Sequence, residues 1–123
     1  MGNLLHKERL EGVNESLVDI TEKAVEQLNF DVTVSEGLRT IETQQKYVAE
    51  GKSKTMYSKH ITGYAVDLYP IVNGSIDNTK FEQLAAEMKK QAALQCAIIE
   101  WGGDWKTFID KPHFQLNQKK NGL

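Results

Sequence analysis

The chain has 123 residues, of which 40% are apolar and 26% charged, which suits one soluble globular domain with a core of its own and fits neither a disordered nor a membrane composition. Fifteen basic residues against 17 acidic ones leave a net charge of −2, an even balance that gives no support for nucleic acid as a partner. No apolar segment approaches the ~18 residues needed to span a bilayer, so no membrane insertion is expected. The first residues show no basic stretch followed by a long apolar one, and the expectation is a monomer made in the cytoplasm without a signal peptide. Cys96 is the only cysteine, which excludes an intrachain disulfide; lying in the apolar run 94–99, it is expected to be a buried small hydrophobe.

Residues 1–13 read as a polar lead-in anchored by Leu4, Leu5 and Leu10, with His6 a solvated surface side chain. From Asn14 the spacing of Leu17, Ile20, Ala24, Val25 and Leu28 marks one helical face, with Asn14 or Ser16 as its cap. Residues 30–35 read as a short strand, broken at Gly37 and followed by Arg39. Thr40 is placed to cap a helix over 41–50, with Gly51 as its stop. Ile41, Gln44, Gln45 and Val48 would share one of its faces, and Gln44 and Tyr47 either border a cleft or belong to an ordinary polar surface. A polar loop over 51–57 follows, its lysines solvated or facing an anionic polymer.

The stretch 58–68 is the most informative. From Tyr64 the period of a strand puts Val66 and Leu68 on one face and Ala65, Asp67 and Tyr69 on the other. A carboxylate inside a strand needs a cation or an open cleft, because an unpaired buried charge costs several kcal/mol. Ser58 precedes His60 by two, so an extended backbone would aim both side chains the same way, the hydroxyl contacting a substrate or orienting a ligand. Gly63 allows a backbone geometry or close approach that a Cβ would block. The strand is expected to end at Pro70, and Asn73-Gly74 signals a turn into a short hairpin.

Thr79-x-x-Glu82 has the spacing of a capping box opening the longest helix, 80–95, with Phe81, Leu84, Ala85, Met88 and Ala92 on its inner stripe. Residues 96–100 read as a central strand, and Gly102-Gly103 then turns the chain. Of Trp101 and Trp105, one is expected in the core and one in a cleft wall. Pro112 favours an extended backbone before it, so Asp110 and His113 do not form a helical motif, while His113 and Gln115 share a face of a last strand. The tail after residue 116 is polar and expected to fray. His60, Asp67 and His113 together would make a two-histidine, one-carboxylate zinc site with a position open for water, leaving Asp110 free for proton transfer. The ligand set alone leaves other divalent metals open.

The order Ser58-x-His60-x-x-Gly63-x-Ala65-x-Asp67, then Trp101-Gly102-Gly103-Asp104-Trp105, then Asp110-x-x-His113, resembles the zinc D-Ala-D-Ala carboxypeptidase and L-alanyl-D-glutamate peptidase family of peptidoglycan enzymes, most of all its short bacteriophage endolysins. The resemblance covers residues 10–116. It implies an α+β fold, shared with the hedgehog signalling domain, in which a small antiparallel sheet bears the zinc site and helices pack on its outer side. It implies His60, Asp67 and His113 as zinc ligands and Asp110 as catalytic base. Arg39 would then hold substrate or polarise the scissile carbonyl, a task that suits a guanidinium; the alternative is a surface arginine bridging to Glu36 or Glu42. The implied substrate is the peptidoglycan stem peptide, cut between L-Ala and D-Glu, with the enzyme reaching the wall through a separate membrane-permeabilising protein. D-Ala-D-Ala carboxypeptidase or dipeptidase activity is the enzymatic alternative, and a metal-holding binding domain without turnover the one from another class. The family often carries a His-Pro-like pair near position 14, where this chain has Asn14-Glu15; the departure touches a helix start, not the site.

Overall fold

The computed structural model describes residues 1–53 and 58–117. Strand β1 (Leu4–Leu5) and a 3-10 turn (Lys7–Leu10) lead to α1 (Glu15–Glu26), β2 (Asp31–Glu36) and α2 (Ile41–Ala49). After these come β3 (Ala65–Val72), β4 (Ser75–Ile76), α3 (Phe81–Leu94), β5 (Ile99–Trp101) and β6 (His113–Leu116). The strands form one sheet in the order β1-β2-β3-β6-β5, with β4 on β3. This is the expected α+β architecture with a correction at one edge: β1 runs parallel to β2, so the sheet is mixed rather than wholly antiparallel.

Alternation along the strands separates two faces. Val32, Val34, Val66, Leu68, Phe114 and Leu116 are buried in one cluster with Leu17, Ile20, Ala24 and Val25 of α1 and Leu84, Ala85 and Met88 of α3. The apolar stripes expected of both helices therefore lie where the periodicity put them. Asn14 caps α1, its Oδ1 accepting from the backbone N–H of Ser16 at 2.9 Å. Before α3, Asp77 rather than Thr79 takes the capping role; its carboxylate accepts from Thr79 N, and a 3-10 turn over Asn78–Lys80 delays the helix to Phe81.

Four further expectations are corrected. Strand β3 does not stop at Pro70. The Pro70 carbonyl accepts from Asp77 N, and the N–H it lacks would point to the same side, toward the Asp77 carbonyl, which accepts instead from Lys80 N. Asn73 and Gly74 then adopt left-handed φ of 52° and 80° and turn the chain into β4 as expected. Second, Cys96 is exposed. Its N–H bonds to the Ala93 carbonyl and that of Ala97 to Ala92, a Schellman end to α3 with Cys96 in the left-handed position at φ 58°. Third, that helix end leaves only Ile99–Trp101 as a strand, and β5 is an edge strand, not a central one. Fourth, the face of α2 that Ile41, Gln44, Gln45 and Val48 were expected to share is not one environment: Ile41 is 56% exposed while Gln44 is fully buried. Expectations for loop residues 54–57 and for the tail beyond residue 117 lie outside the described residues.

Candidate metal centre

The face of the sheet turned away from the core builds the site. Strands β3 and β6 pair with Asp67 opposite His113 and Ala65 opposite Gln115, so the period that buries Val66 and Phe114 delivers the carboxylate and imidazole side by side. His60 arrives from the preceding segment, which is a run of turns rather than extended backbone. There Ser58 Oγ accepts from His60 N at 3.2 Å, and Tyr64 N bonds to the Lys59 carbonyl at 3.0 Å. Gly63 makes the turn possible: its φ is +79°, and a Cβ would lie 2.7 Å from the Gly12 carbonyl oxygen.

The ligand atoms of His60, Asp67 and His113 all lie within 4.8 Å of one another. His60 Nε2 stands 3.1 Å and His113 Nδ1 3.3 Å from Asp67 Oδ1. Each imidazole is held through its other nitrogen. Nδ1–H of His60 donates to the Gly37 carbonyl at 2.8 Å, and Nε2–H of His113 donates to Gln115 Oε1 at 2.8 Å. A carbonyl only accepts, so these nitrogens carry a hydrogen, and the nitrogen that faces Asp67 either donates a proton to the carboxylate or turns its lone pair to a cation. Three electron-pair donors converging in a largely buried pocket need a cation among them. Burial alone would raise the Asp67 carboxyl, but hydrogen bonds from His113 and His60 outweigh it and hold the group well below the usual carboxylate range. Burial opposes the charge on His113, yet the Asp67 and Gln115 hydrogen bonds prevail and its pKa is raised. The donor set, its second contacts and the open side of the cleft fit a catalytic zinc site.

Asp110 borders the same cleft, whose volume is about 680 Å³. Its backbone N–H bonds to the Gly102 carbonyl at 3.0 Å and its carbonyl accepts from His113 N at 3.1 Å, so a turn, not a helix, spaces the acid from the ligand. Gly102 is needed for this packing, since a Cβ there would sit 2.1 Å from the Asp110 carbonyl oxygen. Burial and the charge of Asp67 raise the Asp110 carboxyl above the ordinary aspartate value, partly offset by His113, His60 and Arg39.

On the β2 side a bulge sets two residues, Ser35 and Glu36, against Asp67. The bulge turns Glu36 to the site face, where it binds Arg39 through both Nε and Nη2. Nη1 donates to Gln44 Oε1 at 2.6 Å and to Ser58 Oγ at 3.3 Å, and the guanidinium lies 4.8 Å from the Tyr47 ring centre. Arg39 does pair with Glu36, as in the surface alternative, but its side chain is only 9% exposed and forms the cleft wall. Among the described residues, partners engage all but one of its N–H groups. The tryptophans divide as expected: Trp101 is buried with its Nε1–H on the Lys111 carbonyl, and Trp105 lines the cleft, its ring 5.2 Å from His113.

Sequence reasoning missed the Gly37 carbonyl, named Glu36 only as a surface partner of Arg39, and gave Tyr69 no role in the site. Tyr69 follows Asp67 by two on one strand and so was within reach of the period. Glu36 was not, because its side is set by a bulge that leaves no mark on composition.

Residues 4–118 match the family described as phage L-alanyl-D-glutamate peptidase. The L-alanyl-D-glutamate peptidase of Listeria phage A118 is 32% identical over 134 residues, covering 99% of this chain and 45% of that protein. The chain thus spans less than half of that relative. The L-alanyl-D-glutamate peptidase of Escherichia phage T5 is 33% identical over 110 residues, covering 85% of this chain and 80% of the other. The crystal structure of the Serratia marcescens L-Ala D-Glu endopeptidase ChiX is similar with a TM-score of 0.90 at 34% identity, covering 98% of this chain and 94% of that one.

Proposed function

The chain belongs to the phage L-alanyl-D-glutamate peptidase family, and from that premise we propose that it is a zinc-dependent endopeptidase hydrolysing the amide between L-Ala and D-Glu in the peptidoglycan stem peptide. The observation that carries this reading is the convergence of His60, Asp67 and His113 in a cleft that also holds Asp110. The cell wall is where such an enzyme acts, as a monomer released by a separate membrane-permeabilising protein. No helix among the described residues is long and apolar enough to cross a membrane.

When bound, zinc supplies Lewis acidity to the scissile carbonyl and lowers the pKa of a water molecule toward ~7. The chain's own residues do the rest. Asp110 accepts the proton of the attacking water and passes it to the departing amine of D-Glu. Its raised pKa suits it to hold that proton between the two transfers. Arg39 has one N–H left for the cleft, which suits single-point stabilisation of the oxyanion better than a two-pronged grip on a carboxylate. Ser58 ties that arginine to the turn bearing His60.

The test is mass spectrometry of purified peptidoglycan digested by the zinc-loaded protein, beside a chelator-treated control. Stem peptides with a new amino terminus on D-Glu, and L-Ala left on the glycan, are expected. Free D-Ala instead would assign carboxypeptidase activity, and no zinc-dependent product on any wall type would leave a metal-holding binding domain.

A further inference from the structure

Several hydrogen-bond donors on the cleft wall are engaged within the chain. Arg39 is bound to Glu36, Gln44 and Ser58, Lys52 pairs with Glu50 at 3.3 Å, and the Tyr47 hydroxyl donates to Glu36 at 3.3 Å. The Tyr69 hydroxyl differs. It makes no hydrogen bond among the described residues, and none of their buried side-chain polar atoms lacks a partner, so this hydroxyl is open to water. The ring itself is held edge-on against Phe81, centroids 5.9 Å apart at 66°. Tyr69 is thus fixed by its apolar body and keeps its polar tip for another partner.

The sheet register locates that tip. Asp67 and Tyr69 share the site face of β3, and Asp67 is paired with His113, the first residue of β6. Tyr69 therefore lies past the end of β6, beside the segment that carries Asp110, where Leu68 N bonds to the Pro112 carbonyl at 2.9 Å. Burial and the charges of Asp67 and Asp110 raise the pKa of the phenol, as befits a hydroxyl close to both carboxylates. Arg39 lies toward the opposite end of β3: β2 runs antiparallel, with Thr33 opposite Tyr69 and Glu36 opposite Asp67, and Arg39 follows Glu36.

These positions sort the groups of a bound peptide. Asp110 passes its proton to the departing amine, so the residue bearing that amine lies on the Asp110 side, away from Arg39 and the oxyanion. In D-Glu the carbon next to that nitrogen also carries a carboxylate. A neutral phenol suits it as a donor, and Asp110 is itself neutral while it holds the transferred proton. We propose that Tyr69 is a specificity-determining residue whose hydroxyl donates a hydrogen bond to the α-carboxylate of D-Glu. The inference rests on the endopeptidase reading above.

The experiment compares two synthetic stem peptides cut by the zinc-loaded wild type and by Tyr69→Phe. One carries D-Glu after L-Ala; the other carries γ-aminobutyrate, which keeps the same chain of bonds and lacks the α-carboxylate. The wild type is expected to favour the D-Glu peptide in kcat/KM by about tenfold or more, the discrimination that one hydrogen bond to a charged group affords. Tyr69→Phe should lower that preference by about tenfold, at unchanged melting temperature and zinc stoichiometry, because the ring keeps its place against Phe81. The same preference in Tyr69→Phe as in the wild type, or a wild type that cuts both peptides equally well, overturns the inference alone. Cleavage of neither peptide by the wild type overturns the endopeptidase reading, and this inference with it.

Discussion

Gln115 extends the metal centre beyond its ligands. Its Oε1 accepts from His113 Nε2–H, and its amide nitrogen reaches Glu100 Oε2 at 3.5 Å, so the acid on β5 sets which end of the amide faces the histidine. Gln115→Leu should therefore lower zinc affinity by about 10–100-fold with the fold intact, as loss of such a second contact does, read by competition against a chromophoric chelator. Asp110→Ala should reduce kcat by about 10²–10⁴-fold at unchanged zinc stoichiometry; loss of the metal instead would sink its assignment as base. His113→Ala should empty the site. A pH dependence follows from His113. Its pKa in the metal-free chain is raised, chiefly by the hydrogen bond to Asp67, so a proton competes with the metal for Nδ1. Zinc affinity should rise with pH up to that raised pKa and level off above it, and an affinity independent of pH would contradict this competition. That His60, Asp67 and His113 come together was legible from residue type and spacing, because metal chemistry restricts both. The holders of those ligands were less so: Gln115 shared a face with His113 by period, but Gly37 acts through its carbonyl, which every residue owns.

Elements were legible where a single period decided them. Helices α1 and α3 bury the stripes their spacing gave, because each packs its apolar side into the one core that the sheet and the other helix share. Helix α2 departs because its inner side faces Arg39 and Ser53, so the residue it buries is Gln44, bonded to both. Propensity sees an amphipathic helix in either case; only the partner tells which face turns inward. Pro70 and Cys96 misled for a related reason: each fills a position whose demand is set by neighbours, an Asp77 carbonyl already served by Lys80 N for the proline and a left-handed helix end for the cysteine. Asn14 was legible as one of two caps, and it does more than cap, since its own N–H bonds to the Gly63 carbonyl at 2.8 Å and so ties α1 to the His60 turn. Asn14→Ala should cost about 1 kcal/mol in chemical denaturation through the lost cap, without changing the backbone bond to Gly63.

At the scale of the molecule, β3 and β6 are covered by helices on one face and open to the cleft on the other. The centre draws ligands from two strands and a turn, so a metal held there stabilises the folded state and not the unfolded chain. With zinc at a thousandfold excess over Kd the linkage is about 4 kcal/mol, and chelation should lower the melting temperature by roughly 15 °C. Identical melting with and without chelator would mean that the three side chains hold no metal.

The pairing of Asp67 with His113 beside that of Val66 with Phe114 makes ligand placement a matter of parity. Adding one residue within β6 would turn His113 toward the helices and Phe114 toward water; adding two would restore both. Damage from a change of length there should alternate rather than grow, the smaller lesion being the more harmful of the two.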